Sequence, residues 1–98
     1  MNRRFMKITR SLSDQAVCIK ISRRLAQHRL NQNITQAVLA REAGISLHTM
    51  IQVERAESVQ APSLVRILRV LKFADNLDFL FPEPTAGPIQ RITMQGKR

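Results

Sequence analysis

The sequence predicts an all-α protein, a bundle of about five short helices around one modest core. Three observations predict it. Apolar residues recur at three- and four-residue spacing in separate short runs, the pattern of helices that each bury one face. Gly44, Pro62, Pro82 and Pro84 punctuate those runs where helices would end or begin. With 98 residues, the chain has room for one small domain and little else. The expected layout is a basic N-terminal arm over residues 1–12, a helical domain over residues 13–81, and a tail over residues 82–98.

The arm, MNRRFMKITRSL, is basic with scattered apolar residues. Two readings are open for it, a frayed end or an arm for an anionic partner. Phe5, Met6 and Ile8 add a short strand or a partner contact to the alternatives.

Ser13 and Asp14 start the first helix, with the acid at the positive end of the helix dipole. Val17, Ile21, Leu25 and Ala26 form its apolar stripe, which ends near Leu30 or Asn31. Cys18 lies beside the stripe and reads as a small core or boundary residue. Lys20, Arg23 and Arg24 form a basic face, either solvated or turned to phosphate. His28 has no second ligand at metal spacing and reads as a surface residue.

Residues 35–55, TQAVLAREAGISLHTMIQVER, organise the rest. Thr35 is an N-cap whose hydroxyl accepts from a first-turn amide. Leu39, Ala40 and Ala43 supply a small apolar face. Gly44 stops the helix, because glycine tolerates the left-handed backbone just past a helix end. Ile45 plugs the corner, Ser46 caps the next helix, and Met50 and Val53 point inward from it. Leu47, His48, Thr49, Ile51, Gln52 and Arg55 are left on the outer face. Alanine at 40 and glycine at 44 allow the close crossing of a helix-turn-helix.

Residues 57–61, ESVQA, read as a loop. Pro62 suits the first position of a helix. Leu64, Ile67, Leu68 and Leu71 form that helix's stripe, with Arg66, Arg69 and Lys72 outside it. Val65 and Val70 widen the stripe, so one flank is a candidate surface for a second copy. A last helix over Asn76–Leu80 offers Leu77, Phe79, Leu80 and Phe81 before Pro82 and Pro84 end it. The tail reads either as a disordered basic end or, over residues 89–95, as a short strand that pairs with its copy or with another protein.

Composition narrows the partner. A net charge of +9 points to an acidic partner or polyanion. No apolar run approaches the roughly 18 residues of a membrane span, and no signal peptide is visible. One cysteine cannot form an internal disulfide, which fits a reducing cytosol. Four Phe without Tyr or Trp argue against base stacking on aromatic platforms, and so against a single-strand or RNA module. No cofactor or metal is expected and no enzyme. Paired carboxylates and a glycine-rich phosphate loop are missing, and one Cys with two His makes no credible catalytic or zinc set.

The spaced pattern T-Q-x-x-L-A-x-x-x-G-I-S, followed by Met50, Val53, Glu54 and Arg55, resembles the helix-turn-helix of the phage-repressor (Cro/C1, or XRE) family. The resemblance spans residues 21–81. Ile21, Leu25 and Arg29 precede the motif at the family's spacing, and residues 62–81 match its two closing helices. Asn33 stands where the family usually has glycine, and asparagine tolerates the same left-handed backbone. The resemblance implies an ion pair between Arg29 and Glu54 that ties the first helix to the end of the recognition helix. It also implies a two-fold dimer on near-palindromic double-stranded DNA, with the last two helices and the tail as candidate dimer surface.

On DNA, the helix from Ser46 would enter the major groove. Leu47, His48, Ile51 and Gln52 are the candidate base contacts: Gln52 can make two bonds to adenine, His48 can bond a purine edge, and Leu47 can meet a thymine methyl. Gln36, Ser46, Thr49 and Arg55 are the phosphate candidates that the family implies. The tail, NLDFLFPEPTAGPIQ with a basic end, also resembles small repressor-like proteins encoded beside HipA-type kinases. The expected function is a cytoplasmic, nucleoid-associated repressor, the antitoxin of a HipA-family kinase toxin that regulates its own operon. A stand-alone phage or restriction-control repressor and a protein-interaction module on the same fold are the alternatives.

Overall fold

The computed structural model describes residues 7–85. Those residues form five helices and no strand: α1 (Asp14–Asn31), α2 (Gln36–Ala43), α3 (Leu47–Glu54), α4 (Ala61–Val70) and α5 (Asn76–Leu80). Side-chain hydroxyls start the first three. Ser13 accepts from the Ala16 amide, Thr35 from Val38 and Ser46 from Thr49, each satisfying one of the first-turn N–H groups that lack an intrahelical partner. α4 begins at Ala61, so Pro62 stands at its second position rather than its first. Its missing N–H is still no loss there.

The first four helices end alike. Beyond α1, the Ile34 amide reaches back to the Arg29 carbonyl and Asn33 to Leu30. Ile45 reaches Ala40 and Gly44 reaches Arg41; Glu57 reaches Gln52 and Ala56 reaches Val53; Phe73 reaches Leu68 and Lys72 reaches Arg69. Each is a Schellman pair, which needs one residue with positive φ. Those residues are Asn33 (57°), Gly44 (71°), Ala56 (58°) and Lys72 (69°). Only one is the glycine that adopts this backbone freely. In three of the four, the residue after the turn (Ile34, Ile45, Phe73) drops onto the core, so the turn also closes the bundle.

The core is Leu25 of α1, Leu39, Ala40 and Ala43 of α2, Met50 and Val53 of α3, Ile67 of α4 and Leu71 just beyond it. α2 lies at its centre, packed on α3 and α4, while α1 packs on α3. Alanine at 40 and 43 leaves room for Met50 and Val53 to interlock.

Several expectations need correction. On α1, Ile21 is 44% exposed and Val17 and Ala26 only half-buried, whereas Ser22 is buried. Ser22 takes the inward place because its hydroxyl donates to the Val53 carbonyl at 2.8 Å, which removes the cost of burying a polar group. Of the two places expected for Cys18, core or boundary, the core is ruled out, since the residue is exposed. Val70 packs against its own core rather than forming a free flank. α5 is the least anchored element: it has no side-chain cap, and only Leu77 is half-buried. Phe79, Leu80 and Phe81 are 85%, 67% and 84% exposed. His28, on the surface as expected, rests its ring on Phe73 with centroids 4.4 Å apart. The expected strand over residues 89–95, and Phe5 and Met6 of the arm, lie outside the described residues.

Candidate nucleic-acid interface

α3 owes its position to two polar links that the apolar pattern does not show. The first is the Ser22–Val53 hydrogen bond described above, which ties the inner side of α3 to α1. The second is a network around Glu54. The Arg29 guanidinium grips that carboxylate twice, Nε to Oε2 at 2.7 Å and Nη2 to Oε1 at 3.1 Å. Its remaining nitrogen, Nη1, donates to the Ile34 carbonyl at 2.8 Å. Gln36 Nε2 completes the set by donating to Glu54 Oε1 at 2.9 Å. The two charged side chains are only 11% and 8% exposed. One carboxylate thus fixes the end of α1, the turn after it, the start of α2 and the end of α3. The planar guanidinium suits this role because its donors are held in a rigid fork.

With its inner face held, α3 presents the rest outward. Leu47 is 46% exposed, His48 and Arg55 are exposed, and Thr49, Ile51 and Gln52 are half-buried. The four candidate base contacts therefore lie on one short helix, with Leu47 and His48 in its first turn and Ile51 and Gln52 in its second. No acid sits in that first turn to offset the positive end of its dipole.

The phosphate candidates divide. Gln36 gives one amide proton to Glu54, which holds the side chain with its second proton still able to donate. Ser46 is more committed: its Oγ accepts from the Thr49 amide and donates to Thr49 Oγ1 at 2.9 Å. Its hydroxyl proton goes to Thr49 Oγ1, which leaves Thr49 as the one of the pair with its own hydroxyl proton to offer a phosphate. Arg55 follows α3 as its C-cap and is exposed.

Among the described residues, no three His, Cys, Asp or Glu side chains gather as metal ligands, and no helix is long and apolar enough to cross a membrane. Sequence reasoning missed Ser22, whose polarity hides an inward role, and the Ile34 carbonyl, which no side-chain pattern can signal. Compared with family models and with curated proteins, the chain matches none.

Proposed function

We propose that this protein is a sequence-specific double-stranded DNA-binding repressor that acts as a homodimer in the cytoplasm. The observation that carries the reading is the braced outer face of α3. Leu47, His48, Ile51 and Gln52 share one helix held from behind by Ser22 and the Arg29–Glu54–Gln36 network. A face held this rigidly can place Gln52 against an adenine edge and His48 against a purine. Gln36, Thr49 and Arg55, with the net charge of +9, supply phosphate contacts and non-specific attraction. One such domain reads few base pairs, so two copies on a near-palindrome are needed for selectivity.

The resemblance of the tail supports a narrower role, an antitoxin that represses its own operon and binds a HipA-family kinase. A footprint on DNA upstream of the protein's own gene, with and without the product of the adjacent reading frame, tests both levels. Protection of a near-palindrome that strengthens with the second product supports the antitoxin. Protection indifferent to it leaves a stand-alone repressor, and no protection there refutes autoregulation.

A further inference from the structure

The described residues leave an apolar groove of about 230 Å³ open between α1, the turn after α3, and α4. Cys18, Ile21 and Leu25 line one wall, and Val59 and Leu64 the other. Ile21 and Val59 are each 44% exposed, so the mouth is apolar as well as the floor. Apolar surface of this kind marks a place that something covers. The groove also carries a charge pattern. Glu57 is the one charged residue of its lining, and Asp14 stands one helical turn before Cys18 on the same face of α1. Among the described residues, neither carboxylate has a cation paired with it. From the start of α1 inward, the surface reads acid, apolar, acid.

The chain that precedes α1 has the inverse pattern and the right direction. Residues 3–7 read Arg-Arg-Phe-Met-Lys, with an apolar pair between cations. The Leu12 amide donates to the Thr9 carbonyl at 3.2 Å, a turn that reverses the backbone just before Ser13 caps α1. Ile8 and Lys7 are thereby directed back alongside α1, antiparallel to it. The lengths also agree. Cys18 lies about 6 Å beyond Asp14 at roughly 1.5 Å per helical residue, and Asp14 about 6 Å beyond Leu12. Counted from Thr9, which the turn sets beside Leu12, Met6 and Phe5 reach about 10 and 13 Å at roughly 3.3 Å per extended residue. Lys7 then falls near Asp14, Met6 and Phe5 near Cys18 and Ile21, and Arg4 and Arg3 near Glu57.

We infer that residues 3–6 lie in this groove of their own chain, with Phe5 and Met6 covering Cys18 and Ile21 and the two arginines facing Glu57. Direction, length and charge order all select the same register. The arm is then an internal cover for the bundle rather than a free contact for DNA. The assignment is independent of the repressor reading.

Cys18 is the only cysteine of the chain and lines the groove, so its alkylation by iodoacetamide reports the cover. The test uses the full chain without DNA. The Phe5→Ser, Met6→Ser variant should be alkylated about tenfold faster than the parent, as expected for a cover in place about nine-tenths of the time. The parent's rate should be the same at every dilution, because the contact lies within one chain. Arg3→Glu with Arg4→Glu should also speed alkylation, although added acids by themselves slow a thiol's reaction. Adding Glu57→Arg to that variant, with circular dichroism confirming the fold, should restore the slow rate. A new cation near Cys18 would by itself do the opposite.

A parent alkylated as fast as the Phe5→Ser, Met6→Ser variant would overturn the assignment, because the arm would then leave the groove uncovered. Protection that fades on dilution would also overturn it and would place another copy in the groove. So would a charge-reversed arm that stays slow, or a full charge swap that stays fast. None of these readouts involves DNA. A chain that passes them yet protects no operator would therefore refute the repressor reading alone.

Discussion

Removing the Glu54 carboxylate is the sharpest perturbation of this fold. In Glu54→Ala, Arg29 keeps its bond to the Ile34 carbonyl but loses both bonds to the acid, and its guanidinium, 11% exposed, keeps a charge without a counterion. Gln36 loses its acceptor in the same step. Breaking a buried pair by removing one partner costs about 3–5 kcal/mol. The remaining solvent access of Arg29 places this case near the lower figure. About 3 kcal/mol lowers the midpoint of thermal unfolding by roughly 12–24 °C in a domain of this size.

The double variant Arg29→Met with Glu54→Leu removes both charges together and should recover most of that loss, since apolar replacements of a buried pair are often close to neutral. It should nevertheless bind DNA more weakly than the parent, because α3 and Gln36 lose their common anchor. Urea unfolding of the three proteins, followed by circular dichroism, makes the comparison. A Glu54→Ala cost below about 0.5 kcal/mol would refute the reasoning. So would a double variant as unstable as the single one, or one that binds DNA as tightly as the parent.

Other consequences are open to the same measurements. Ala56→Gly and Lys72→Gly should each stabilise the protein by about 0.5–1 kcal/mol, because both residues hold positive φ that glycine adopts without a Cβ penalty; a loss of stability in either would contradict the strain. Ser22→Ala should cost about 1 kcal/mol, a modest figure because the Val53 carbonyl keeps a second donor in the Ala56 amide. Ser46→Ala should cost about 1 kcal/mol of stability through the lost cap, and it should weaken DNA binding no more than the disturbed α3 requires. Operator affinity should fall with salt by roughly 0.9 in the log–log slope for each phosphate neutralised. An affinity flat between low and high salt would rule out the phosphate contacts.

What was legible in the sequence was what apolar spacing and small residues encode. Leu39, Ala40, Ala43, Met50 and Val53 read as inward and are inward, and Thr35, Gly44 and Ser46 stand at the helix ends where their chemistry puts them. α1 was the harder element, because its buried position 22 is a serine whose acceptor, the Val53 carbonyl, lies 31 residues away. Ala56 and Lys72 gave no sign of positive φ, since neither residue type prefers it; the Schellman turn imposes it from the neighbouring hydrogen bonds. At the site, the outward residues of α3 followed from the inward ones by elimination. The restraint of Gln36 by Glu54, and the spending of the Ser46 hydroxyl on its own helix, depend on side-chain geometry that no spacing records.

The central claim is that the outer face of α3 reads bases. The most direct test is a binding titration on a selected operator, comparing the parent with a variant carrying His48→Glu and Gln52→Glu. Circular dichroism and thermal unfolding confirm that both are folded. Two carboxylates facing the acceptor-rich edges and the phosphates should weaken specific binding by at least about thirtyfold, since each lost base contact is worth about 1–3 kcal/mol. A folded variant that binds the operator as tightly as the parent would contradict the account and leave the helix-turn-helix a scaffold for some other partner.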